Sequence, residues 1–146
     1  AVARIAPFSA IVARVEAIDW AQVTADLNGQ GAAVLKGLLS PEECRALAAL
    51  YPDDARFRSR IVMGRHSFGR GEYKYFANPL PALVQNLRTH LYPSLAALAN
   101  QWMNALRMSD RFPAELSTFL AYCHEHGQTR PTPLLLRYEQ ERVDGS

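Results

Sequence analysis

Between Arg58 and Ala77 the apolar pattern changes its period, and this change constrains the fold more than any other feature of the sequence. After SRIVM come Gly64, Gly69 and Gly71, and then EYKYFA, in which Tyr73, Tyr75 and Ala77 alternate with Glu72, Lys74 and Phe76. A two-residue alternation beside glycines, which let a backbone turn or approach a ligand, predicts a β-hairpin. Helical spacing prevails on both sides of it, so the expected class is α+β, several amphipathic helices on a small, mainly antiparallel sheet.

The helical segments carry their own boundaries. PFSAIVARVEAI repeats Phe8, Ile11, Val12, Val15 and Ile18 at helical spacing behind Pro7, a residue suited to a first helical position. Asp19 then reads as the cap of a helix bearing Trp20, Val23 and Leu27 and closing at Gly29 or Gly31. AAVLKGLL reads as a short buried strand. In Ser40-Pro41-Glu42-Glu43 the serine and the glutamate three residues on form a capping box, and the helix behind it turns Cys44, Leu47, Ala48 and Leu50 toward the core. Pro93 is expected to split PLPALVQNLRTHLYPSLAALANQWMNALRM into two helices. Leu95, Leu98, Trp102 and Leu106 form the core face of the second. A further helix follows Pro113 and stops at Gly127, and PTPLLLRY closes with a strand.

Length and charge narrow the function classes. The 146 residues, 49% hydrophobic, suit one domain with a real core, and a net charge of +2 is too mild to demand a nucleic-acid partner by itself. The expected organisation is a single domain over 1–146, with a helix in 1–17 and a divergent tail at 139–146. Two cysteines, Cys44 and Cys123, offer neither a disulfide framework nor zinc spacing. No apolar run reaches the roughly 18 to 20 residues that span a bilayer. The expected location is cytoplasmic, with no membrane partner.

The distribution of charge is more informative than its sum. From residue 55 to residue 76 the one acidic residue is Glu72, against Arg56, Arg58, Arg60, Arg65, Arg70 and Lys74, with His66, Phe68, Tyr73, Tyr75 and Phe76 among them. Cations that neutralise phosphates beside rings that stack unpaired bases make a nucleic-acid surface. The same residues equally fit a solvated hairpin whose rings face the core. His124 and His126 flank Glu125 near a helix end, where spacing i, i+2 points their rings apart; a metal pair on a helix uses i, i+4. They fit a helix C-terminus that favours partial positive charge, and no metal ligand is assigned.

Taken in order, "RHSFGRGEYKYF", "PLPALVQNLRTHLYP" and "GQTRPTPLLLRY" resemble the N-terminal half of a bacterial family of 2-oxoglutarate- and Fe(II)-dependent oxygenases related to prolyl-hydroxylase-like and DNA-alkyl-repair dioxygenases. The resemblance runs from about Ile18 to Tyr138. It implies an intact form that oxidises alkylated or damaged DNA, with Fe(II) and 2-oxoglutarate as cofactors. It implies substrate contact through Arg65, His66, Arg70, Lys74 and Tyr75, and 2-oxoglutarate contact through Tyr138. Iron in that family is held on a double-stranded β-helix by an H-x-D pair and a distal His. Here LLLRY leads into EQERVDGS, so the expectation is an incomplete β-helix lacking its C-terminal half, no catalytic or metal residue in this chain, and no cofactor bound by it alone. Two further expectations follow: contact with single-stranded or damaged DNA without chemistry, or a protein interface, and self-association through open sheet edges.

Overall fold

The fold is a computed structural model that describes residues 8–66, 70–129 and 131–139, with the side chains of Phe8, Ser9, Arg65 and His66 outside the described set. Pro7, Phe68, Gly69 and most of the 139–146 tail therefore also lie outside it. The chain divides into two compact units, one drawn from residues 1–46 and 81–131, the other from 47–80 and 132–146.

The first unit is helical. Helix α1 (Phe8–Glu16) buries Ile11 and Val15, one turn apart, and packs on the long helix α4 (Ala82–Ala105). Asp19 caps α2 (Trp20–Gln30) by accepting from the Gln22 N–H at 3.1 Å, and Gly31 ends it at φ +76°, its N–H on the Leu27 carbonyl. The left-handed conformation there favours glycine.

The expected strand AAVLKGLL does not form. Its residues run irregularly, Val34 is 77% exposed, and the Leu38 N–H turns back to the Leu35 carbonyl around Gly37 at φ +74°. An apolar run becomes a strand only where a neighbour accepts its backbone hydrogen bonds, and this turn cuts the extended stretch too short to recruit one.

Helix α3 (Pro41–Leu50) begins with the expected capping box: the Glu43 N–H donates to Ser40 Oγ at 3.1 Å and the Ser40 N–H to Glu43 Oε1 at 2.8 Å. Its rotation differs from the expectation. Glu43 is buried and Cys44 exposed, because Arg14 reaches the same Oε1 at 2.5 Å while also donating to the Leu38 carbonyl. That ion pair turns the Glu43 side of the helix inward and leaves Leu47 and Leu50 half-buried.

Pro93 does not divide α4, which runs unbroken through it. A proline inside a helix removes one backbone bond, and burial of Leu83 and Val84 before it and of Ala96 and Leu98 after it holds both sides in one helix. Of the expected second-half core face, only Leu98 is buried; Leu95, Trp102 and Leu106 are exposed. The Trp102 indole instead donates to Asn28 at 2.8 Å. Helix α5 (Leu116–Glu125) buries Leu116 and Cys123 and is followed by Gly127 at φ +84°. Tyr92 and Phe119 stack between α4 and α5, and Asn100 brackets Phe112 through both its backbone N–H and carbonyl.

The second unit holds the sheet, antiparallel in the order β1 (Phe57–Val62), β2 (Gly71–Phe76), β3 (Leu134–Tyr138). The expected hairpin and closing strand are both present, and the chain is α+β. Ser59, Ile61 and Val62 pair with Tyr75, Tyr73 and Glu72; Leu134, Leu136 and Tyr138 pair with Tyr75, Tyr73 and Gly71. A register shift between Phe57 and Ser59 inserts Arg58 as an extra residue. No helix among the described residues is long and apolar enough to cross a membrane.

Candidate nucleic-acid interface

The sheet's two faces are chemically opposite to the usual arrangement. Strand β2 directs Glu72, Lys74 and Phe76 to the covered face and Tyr73 and Tyr75 to the other, where they stay half-buried. The charged residues of β2 thus lie inside together with Phe76, and its tyrosines line the open side.

The covered face stays stable because each charge has partners. Glu72 accepts from Arg60 of β1 at 2.8 and 2.5 Å and from Arg137 of β3 at 2.5 Å, so one carboxylate joins all three strands. Lys74 donates to the Tyr51 carbonyl at 2.7 Å and to Asp54 at 3.0 Å, with its ammonium 4.3 Å from the centre of the Tyr51 ring and 5.4 Å from that of Phe57. Arg137 lies over the same Tyr51 ring at 4.7 Å. Phe76, almost wholly buried, stacks on Phe57 at 4.9 Å. Pairing of this kind is what lets ionised groups leave water.

Burial by itself would raise the Glu72 pKa, but the hydrogen bonds from Arg60, the nearby Tyr51 hydroxyl and the charges of Arg137 and Arg60 outweigh it and hold the carboxyl below its usual range. Burial, then the Glu72 carboxylate, push the Tyr51 hydroxyl the other way, upward. That hydroxyl is buried without a hydrogen bond of ordinary geometry. A carboxyl whose folded pKa is depressed contributes stability above its unfolded pKa and loses it as pH falls through the folded one. Urea midpoints of wild type and Glu72→Gln should therefore differ at pH 7, and the gap should narrow as pH falls below roughly 4 and close below the depressed folded pKa. A gap that does not narrow at all as pH falls from about 5 to about 2 would mean the carboxylate charge is not what joins the strands.

The open face carries Ile61, Tyr73, Tyr75, Leu134, Leu136 and Tyr138, by the strand registers. Leu134, Leu136 and Tyr138 are all exposed. Tyr73 and Tyr75 meet edge to face, their centroids 5.6 Å apart and their planes at 84°. The β-bulge brings Arg58 to this side, where its guanidinium sits 4.5 Å over the Tyr75 ring and its Nε donates to Thr132 at 3.0 Å. Gly71 is needed for close approach: a Cβ there would fall 2.7 Å from the Tyr138 ring and 2.8 Å from Met63 Sδ.

The residues singled out by sequence are thus distributed rather than gathered. Tyr75 and Tyr138 share the open face, and Arg70 is exposed at the start of β2. Lys74 has its charge inside, on Tyr51 and Asp54. The side chains of Arg65 and His66 lie outside the described residues. His126 Nδ1 sits 2.9 Å from the Tyr122 carbonyl and its ring stacks on Tyr122, as suits a helix end. Among the described residues no group of three or more His, Cys, Asp or Glu side chains is arranged to hold a metal ion. The described residues therefore do not fit an iron site. Sequence reasoning missed Tyr51 and Arg137, whose roles depend on strand register; the isolation of Glu72 among cations was the available signal.

Residues 71–144, from the start of β2 onward, match the model of a family described as "Oxygenase, catalysing oxidative methylation of damaged DNA". The chain belongs to this oxygenase family. It is also similar to the uncharacterised proteins Rv2227 and MT2286 of Mycobacterium tuberculosis strains H37Rv and CDC 1551, each 36% identical over 75 residues. The alignment takes in 51% of this chain and 32% of each relative, so the chain spans about a third of the length of these curated relatives. No solved structure matches.

Proposed function

We propose that the chain is part of a 2-oxoglutarate- and Fe(II)-dependent oxygenase acting on alkylated or otherwise damaged DNA, and that its β1–β2 hairpin faces the nucleic acid. The family match over residues 71–144 carries this reading. In it, the three-stranded sheet is one portion of a double-stranded β-helix, and iron is held by segments of a longer protein. Tyr138 is assigned to 2-oxoglutarate, and Arg65, His66, Arg70 and Tyr75 to substrate, with Lys74 supporting the hairpin from beneath. The chain alone is then inactive. A second reading, a binding module that contacts DNA without chemistry, rests on the Tyr73–Tyr75 pair and the Arg58 guanidinium over the Tyr75 ring.

An anaerobic titration with Fe(II) and 2-oxoglutarate separates iron binding from DNA binding. The chain alone is expected to give no visible charge-transfer band; a band would overturn its assigned inactivity. Binding to DNA should weaken with salt, because phosphate contacts release counterions. Replacing Arg65 and Arg70 together with alanine should lower the slope of log affinity against log salt by about 1 per lost phosphate contact. An unchanged slope would remove the hairpin from the interface.

A further inference from the structure

The family match does not say which form of DNA the protein engages or which surface touches the bases. We infer that the open face of the sheet is a stacking platform for unpaired bases, centred on Tyr73 and Tyr75 and rimmed by Arg58, and that the chain selects single-stranded over duplex DNA. This inference rests on the proposed function and deepens it.

Three observations carry it. The first is the inversion of the sheet: the charged side chains of β2 are buried and its two tyrosines face the other way, beside the exposed Leu134 and Leu136. The covered face already has the buried Phe76 and its Phe57 partner. The second is the geometry of the tyrosines, which at 84° to one another offer a ring face beside a ring edge. A planar base can stack on one and abut the other.

The third is charge. Glu72, the sole carboxylate of residues 55–76, points to the covered face and is joined to Arg60 and Arg137. Glu139, just past β3, lies 3.5 Å from Arg137. The open face itself carries no acidic residue among its described strand positions, while the bulge delivers Arg58 onto it. Rings with a cationic rim complement a strand whose bases are apolar and whose backbone is anionic. Duplex DNA keeps its base faces inside the stack, beyond the reach of a sheet.

The test measures fluorescence anisotropy of the 146-residue chain with a labelled 12-nucleotide single strand and with the duplex of the same sequence, across a range of salt. The single strand should bind tighter by roughly 10-fold or more. Tyr73→Leu and Tyr75→Leu, which keep apolar cover, should each weaken it about 5- to 150-fold without changing the salt slope. Tyr75→Phe, which keeps the ring, should restore most of the affinity. Circular dichroism confirms that each variant folds. Equal affinity for both DNA forms, or Leu variants that bind like wild type, overturns the platform. If Arg65 and Arg70 still set the salt slope in that case, the proposed function stands without it. A dimer that either Leu variant dissociates, with DNA binding unaltered, assigns the face to a second copy of the chain and likewise overturns the inference. Absence of binding to any DNA removes the hairpin reading as well.

Discussion

Replacing Glu43 with alanine should destabilise the helical unit by about 3–5 kcal/mol, the range for removing one partner of a buried ion pair. The side chain is 1% exposed, and its Oε1 takes both the Ser40 N–H and the Arg14 guanidinium. Alanine leaves the Arg14 charge, 30% exposed, without its carboxylate, and opens the space that the side chain fills. The start of α3 also loses one of the two reciprocal bonds of its capping box. Glu43→Gln separates these effects, since the amide oxygen can still accept from Ser40 but carries no charge. Ser40→Ala, which touches only the cap, should cost about 1 kcal/mol. Urea denaturation checks the series: the midpoint falls in the order Ser40→Ala, Glu43→Gln, Glu43→Ala, with the slope unchanged. Equal shifts for Ser40→Ala and Glu43→Ala would show that Glu43 acts through the cap alone. Native domains hold only about 5–15 kcal/mol in total, so the full loss would leave this unit marginal.

The same residue marks the boundary between what is legible in sequence and what is not. The box of Ser40 and Glu43, the Asp19 cap and the Gly31 exit are interactions within a few residues, and each forms as the local pattern predicts. The hairpin and the LLLRY strand were also legible, from alternation and glycine placement. Which side of a helix turns inward is a tertiary matter: Cys44 gave way to Glu43 because Arg14, distant in sequence, sits opposite. Pro93 was overruled by burial on both sides of it, and AAVLKGLL stayed irregular for want of a neighbouring strand. At the candidate site the cations and rings were legible as a group, but not the face each occupies. The Arg60, Glu72 and Arg137 link needs two strand registers at once, and no short-range pattern contains it.

Lys74 provides the second large effect. Lys74→Ala should destabilise the sheet unit by about 2–4 kcal/mol, from the lost packing of the stem and the Tyr51 carbonyl left without its donor. The ammonium lies between that carbonyl and Asp54, above two aromatic rings. Its side chain is 8% exposed while Asp54 is 90% exposed, so the stabilisation comes mainly from the carbonyl and the rings rather than from the ion pair, which water screens. Lys74→Met tests this directly, because it keeps an unbranched stem over Phe57 and Tyr51 and removes only the charge and the donor. It should recover about half of the alanine loss. Asp54→Ala should cost less than about 1 kcal/mol. The buried position also predicts that Lys74→Met leaves the salt slope of DNA binding unchanged, in contrast to Arg65 and Arg70. A slope lower by about 1 with stability intact would instead place the ammonium on a phosphate. Thermal melts and the anisotropy titration on one preparation give both readings, and they divide the hairpin's positive charge into the part that holds the sheet and the part that meets DNA.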